Sequence, residues 1–199
     1  MKKIIIAIDS FKGCLTSAEA GKAAEKGIKS INPFCHTSVI PIADGGEGLL
    51  DVLIRATKGK YITLSAHGPL MKMAKTHYGL SGNGRTAIIE MAAISGLPLV
   101  PIEQRNPMLT TTFGTGELIK DALNKGCRNF IIGIGGSATN DAGLGMLQAL
   151  GFRFLDKSGH TLGTGGQIME AVANIDTSGI HPALRETHFM VACDVANPL

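Results

Sequence analysis

One recurring order restricts this chain more than any other feature. A short apolar run, rich in β-branched residues, gives way to a polar, glycine-containing turn, and a helix-forming stretch follows. Lys3 to Asp9 is the first such run, and Thr16-Ser17-Ala18-Glu19 then forms a capping box. The helix it opens carries Ala20, Ala24, Gly27, Ile28 and Ile31 on one face and ends at Asn32-Pro33. Thr37 to Ile42 leads through Ala43-Asp44-Gly45-Gly46-Glu47-Gly48 into a helix from Leu49 to Ala56, which stops near Gly59. Asn129 to Ile134 leads through a glycine turn into a helix from Asn140 to Leu150, closed at Gly151. His188 to Cys193 is a last strand, ending at Asp194. Strands that are apolar on both faces and separated by helices belong to an α/β sheet covered by those helices.

The middle of the chain departs from this order. Tyr61 to Leu64, Lys75 to Leu80 and Thr86 to Met91 read as strands joined by His67-Gly68-Pro69 and Ser81-Gly82-Asn83-Gly84. Connections this short make hairpins, so a second, mixed-sheet unit is expected to begin here. A helix from Glu117 to Asn124 closes at Gly126.

Composition narrows the functions on offer. Net charge is +3, and the basic residues are scattered with no run of five. Aromatics make up 5% and Trp is absent, which argues against a nucleic-acid partner. A small anionic substrate suits a mildly positive chain. Cys14, Cys35, Cys127 and Cys193 form no metal-binding spacing and read as reduced thiols in a cytoplasmic protein. The apolar start breaks at Asp9, too early for a signal peptide, and no stretch reaches the roughly 18 apolar residues of a membrane helix.

Chemistry concentrates in the turns. Gly133-Ile134-Gly135-Gly136-Ser137-Ala138-Thr139-Asn140-Asp141 joins a strand to a helix, where bare glycine amides and a helix terminus can hold an anion. Ser137 and Thr139 can donate to phosphate oxygens, and Asn140 or Asp141 can cap the helix. The plain alternative is a glycine turn without a ligand. Asp9-Ser10-Phe11-Lys12-Gly13 puts an acid at a strand end and a lysine able to neutralise phosphate or carboxylate. Asp44-Gly45-Gly46-Glu47-Gly48 offers two carboxylates for substrate hydroxyls or metal-bound water, or else a simple helix start. Thr110 to Glu117 reads equally as a second anion-binding terminus or as an N-cap by Thr112 or Thr115. Asp194, at the tip of an apolar strand, is a candidate base or metal ligand. Most of these segments follow strands, so a doubly wound sheet gathers them on one edge. That makes a carboxylate-lined anion cleft, which is what phosphoryl transfer requires.

Five segments, in order and at matching spacing, resemble the bacterial class I glycerate kinases. They are Ile8 to Gly13, Pro41 to Gly48, Thr112 to Ile119, Gly133 to Asp141 and Ala192 to Leu199. The sequence departs from that family at Ile8, where Pro is usual, and at Ala142, where Gly is usual. The resemblance implies ATP- and Mg²⁺-dependent phosphorylation of D-glycerate to 2-phosphoglycerate. It also implies a flavodoxin-like parallel-sheet domain into which a second, mixed α/β domain is inserted. Because members are nearly twice as long, this chain is expected to be the N-terminal half of a longer protein. Residues 1–66 would begin the flavodoxin-like domain, and 67–199 would hold the inserted domain and returning strands. By the same resemblance Asp9, Lys12 and Asp194 are catalytic. Ser10, Asp44, Gly45, Gly46 and Glu47 bind substrate, and Gly135, Gly136, Ser137, Thr139, Asn140 and Asp141 hold ATP. Asp141 and Asp194 are the carboxylates offered to the metal.

Two other readings compete. Gly133, Gly135 and Ala138 match a dinucleotide fingerprint, with Asp156 near the place of a ribose-binding acid, which would make an NAD(P)-dependent dehydrogenase. Alternatively the chain is an inactive kinase fragment. A homo-oligomer is compatible with the sequence, and no nucleic-acid or membrane partner is expected.

Overall fold

The computed structural model describes residues 3–11, 13–46 and 48–193. Strands β1 (Lys3–Ile6) and β2 (His36–Val39) pair in parallel, with Lys3 opposite His36 and Ile6 opposite Val39. Helix α1 (Ser17–Ile31) joins them and starts at the expected capping box: the Thr16 hydroxyl accepts from the Glu19 amide at 3.3 Å, and Glu19 Oε2 accepts from the Thr16 amide at 2.9 Å. The helix ends at Asn32. Its buried stripe is shorter than its apolar pattern suggests. Ser17, Ala20 and Gly21 are buried, whereas Gly27 is exposed and Ile31 is 87% exposed. Four-residue strands are about 13 Å long and a 15-residue helix about 22 Å, so only its first half has sheet beneath it.

Helix α2 (Leu49–Thr57) closes on Lys58, whose φ of +53° is left-handed. The hairpins expected from turn length then form. Strand β3 (Lys60–His67) is antiparallel to β4 (Met73–Leu80), which is antiparallel to β5 (Thr86–Glu90). Beyond the single-turn helix α3 (Ala92–Ser95) and helix α4 (Phe113–Asn124), β6 (Asn129–Gly133) lies parallel to β5. Helix α5 (Leu144–Ala149) precedes a small antiparallel ribbon of β7 (Arg153–Leu155) and β8 (Asn174–Asp176). Strand β9 (His188–Ala192) adds in parallel to β6, giving a mixed sheet in the order β3-β4-β5-β6-β9. This sheet takes in β3, which the expected division at residue 66 assigned to the first unit.

Alternation along β5 explains how the layers stack. Ala87 and Ile89 point into the main core with Leu118, Ile119 and Leu123 of α4 and Phe130 of β6. Ile88 points the other way, onto Leu50 and Ile54 of α2. Each such isoleucine contributes about 1.5–3 kcal/mol of burial. Helix α2 is therefore held on the far face of the mixed sheet, and its N-terminus is carried to the carboxyl ends of β5 and β6.

Candidate active site

The first two strand ends are tied by one hydroxyl. Ser17, buried at the start of α1, donates to the Ile8 carbonyl at 2.6 Å and accepts from the Ile42 amide at 2.9 Å. Asp9 lies beyond β1, not at its last residue, and accepts from the Ser10 amide at 2.7 Å. Ser10, Phe11, the first turn of α1, Gly48, Asp51, Arg55, His77 and Glu90 line a cavity of about 430 Å³. Lys12, Glu47 and Asp194, three of the expected site residues, lie outside the described residues.

The Asp44-Gly45-Gly46 loop rests on two strand ends. Asp44 Oδ1 accepts from the Gly46 amide at 2.9 Å, and the Asp44 residue is exposed. Gly45 has φ +95°, and a Cβ there would lie 2.8 Å from the Ala192 carbonyl oxygen at the end of β9. A Cβ on Gly133 would lie 2.5 Å from the Gly45 carbonyl oxygen, and one on Gly135 would lie 3.0 Å from Gly46 Cα. Three of the sequence motifs thus meet, with no room for a methyl group at Gly45 or Gly133 and little at Gly135. Glycine at these positions is a requirement of close backbone approach.

The Gly133–Asp141 turn differs in part from its expectation. Gly135 and Gly136 are exposed, and their amides make no hydrogen bond to another described residue. Asn140 is exposed as well. Ser137 and Thr139, expected to donate to phosphate, direct their hydroxyl protons to backbone. Ser137 donates to the Thr139 carbonyl at 2.9 Å, and Thr139 to the Thr110 carbonyl at 2.7 Å. Asp141, expected at cofactor and metal, is 1% exposed with both oxygens engaged. Oδ2 accepts from the Thr112 amide at 2.8 Å and the Gly145 amide at 3.2 Å, while Oδ1 accepts from the Gly143 amide at 3.0 Å. The helix expected from Asn140 begins instead at Leu144, because Ala142 and Gly143 take φ of +50° and +75°.

The Thr110–Glu117 segment is neither a side-chain N-cap nor an open anion site. The Thr112 hydroxyl bonds Asp141 and the Thr115 hydroxyl pairs with Ser95 at 2.8 Å. Gly116 instead lets α5 approach α4, since a Cβ there would strike the Met146 carbonyl.

Sequence reasoning missed Glu90. It stands at the end of the apolar run Ala87-Ile88-Ile89, the same signal that singled out Asp194. Glu90 is half-buried, and Oε1 accepts from the Leu50 amide at 2.7 Å. Burial pushes its carboxyl pKa up; the α2 amides work against that rise.

The dinucleotide reading gains nothing from this geometry. Ala138 is buried with its amide bonded to the Ser95 carbonyl, no helix starts at Asn140, and Asp156 caps its own turn through the Ser158 and His160 amides. No described helix is long and apolar enough to cross a membrane.

Residues 4–199 match the glycerate kinase family. Over 99% of its length the chain is 54% identical to a glycerate kinase of Bacillus subtilis (strain 168) and 50% identical to a glycerate 2-kinase of Escherichia coli (strain K12), covering 52% of each. A crystal structure described as glycerate kinase 2 from Salmonella typhimurium LT2 matches with a TM-score of 0.87 at 49% identity, over 99% of this chain and 53% of that one. The chain spans about half the length of the curated relatives it matches. With the sequence match running from residue 4 to 199 and the fold shared across almost the whole chain, this protein belongs to the glycerate kinase family.

Proposed function

We propose that the chain carries the phosphate- and acceptor-binding rim of an ATP-dependent kinase that converts D-glycerate to 2-phosphoglycerate in the cytoplasm. The observation that carries this reading is the seating of the Asp44–Gly46 loop on Gly133 and Gly135 beside the end of β9. It brings exposed glycine amides and an exposed carboxylate to one rim. Phosphoryl transfer depends mostly on such positioning and charge neutralisation.

In this reading the Gly135 and Gly136 amides receive ATP phosphate oxygens. Ser137, Thr139 and Asn140 shape the turn that presents them. Lys12 balances phosphate or glycerate charge. Ser10, Asp44, Gly45, Gly46 and Glu47 face the glycerate. Asp9 and Asp194 supply the base for the attacking hydroxyl. Asp141 serves as a positioning residue, since its oxygens are already engaged by protein donors. Magnesium, which neutralises phosphate charge when bound with a nucleotide, needs only one or two protein carboxylates. In this reading Asp44 and Asp194 are the carboxylates offered to it. Strand β9 is a sheet edge exposing Met190 and Val191, which supports self-association of the 199-residue chain.

The test is a coupled kinase assay with the product identified by phosphorus NMR. It is run on this chain and on a version extended by the second half its relatives possess. ATP-dependent formation of 2-phosphoglycerate by the extended protein is expected, with no binding of NAD(P). Asp194→Asn in that protein should lower kcat far more than glycerate affinity. Absence of both ATP binding and product would end the kinase reading.

A further inference from the structure

We infer that Glu90 is the positioning residue that fixes the Asp44–Gly46 loop over β6. The inference rests on the reading of that loop as part of the substrate site, and it adds a residue that none of the sequence motifs contains.

Helix α2 begins without a cap of its own. Its N-cap residue, Gly48, is left-handed at φ +91° and has no side chain to accept a bond. The first-turn amides still need an acceptor. Glu90 supplies one from another element: its Oε1 takes the Leu50 amide at 2.7 Å. The register puts Glu90 directly opposite Gly133, the residue on which the Gly45 carbonyl sits. One carboxylate is thus fixed to the strand end below the loop and bonded to the helix that leaves it. With Gly133 and Gly135 on one side and α2 on the other, the loop is held at both ends.

The same carboxylate lines the cavity shared with Ser10. Cys14 and Glu19 line the same cavity, and Tyr61 lies near enough for the Glu90 charge to raise its hydroxyl pKa; three more titratable or charged side chains line the cavity from α2 and β4. Asp51 and Arg55 come from α2, and His77 comes from β4. Asp51 accepts from the Tyr61 hydroxyl at 2.6 Å, and Arg55 makes no ion pair with a described residue. A negative charge at a helix N-terminus is favourable, which offsets part of the cost of half-burying it. Removing the Glu90 carboxyl takes the acceptor away from the Leu50 amide, which loosens the start of α2 and the loop that leads into it.

Hydrogen exchange on the wild type, Glu90→Gln and Glu90→Ala decides the matter. The Leu50 amide and the amides of Gly45, Gly46 and Gly48 should exchange about tenfold faster or more in Glu90→Ala, and less so in Glu90→Gln, whose carbonyl still accepts. Amides of α4 and β3 should not change. In the extended protein, Glu90→Gln should raise the KM for glycerate several-fold more than the KM for ATP. Unchanged Leu50 exchange, protection lost equally across α4, or equal effects on both KM values would each overturn the inference. A wild type that turns over no glycerate would instead overturn the kinase reading and leave the exchange data to decide Glu90.

Discussion

The Thr112 amide donates to Asp141 Oδ2 at 2.8 Å, and the Thr112 hydroxyl lies 2.9 Å from the same oxygen while accepting from the Met146 amide at 2.9 Å. One buried carboxylate thereby joins the start of α4 to the turn before α5. Replacing one of its oxygens by an NH₂ group leaves some of the buried donors without their acceptor. Asp141→Asn should destabilise the fold by about 2–4 kcal/mol, since its NH₂ group faces donors as well. Urea unfolding measures this. A variant of wild-type stability whose magnesium dependence changed would assign Asp141 to the metal after all.

Ala142 is strained where glycine would not be. Its φ of +50° is left-handed, which costs a residue with a Cβ about 1–2 kcal/mol. Ala142→Gly should therefore raise stability, by about 1 kcal/mol or less after the added freedom of the unfolded chain is subtracted. The midpoint of denaturant unfolding should move upward with an unchanged slope.

Glu90 gives stability a pH dependence of defined sign. Its ordinary value is 4.5, and burial raises it in the folded protein. The unfolded chain thus ionises first as pH rises. The contribution is complete below 4.5 and is lost as pH climbs through the raised folded value. The stability of the wild type relative to Glu90→Gln should accordingly fall from pH 4.5 upward, as read from paired urea titrations. A constant difference across that range would mean that Glu90 titrates as it does in the unfolded chain.

Gly135→Ala tests the phosphate turn. The new Cβ would stand 3.0 Å from Gly46 Cα, tight enough to push the turn from its loop by a few tenths of an ångström. ATP affinity should drop about tenfold, equivalent to about 1.4 kcal/mol. The rise in Tm given by saturating MgATP should shrink accordingly. An undiminished rise would show that nucleotide binds elsewhere.

Much of this was legible from residue order. Local chemistry alone predicts the Thr16 capping box, the hairpins around Gly68 and Gly82 and the glycine turns after the strands, because caps, turns and period-two patterns act between near neighbours. The gathering of Gly45, Gly133 and Ala192 at one rim follows from parallel strands ending on a common edge.

What depended on distant partners had to wait for the tertiary structure. Ile31 belongs to an apolar stripe, but the strands beneath α1 are too short to cover it. Asp141 sits in a glycine turn, and only the fold brings the Thr112 amide, 29 residues away, onto its oxygen. Glu90 stands in an ordinary buried strand until α2, 40 residues earlier, turns its N-terminus toward it. Sequence therefore determined the elements and the class of chemistry at their ends, through interactions a few residues long. Only the packed chain decided which described carboxylates are engaged by protein donors, as Asp141 and Glu90 are, because that depends on which donors the fold brings within about 3 Å of each oxygen.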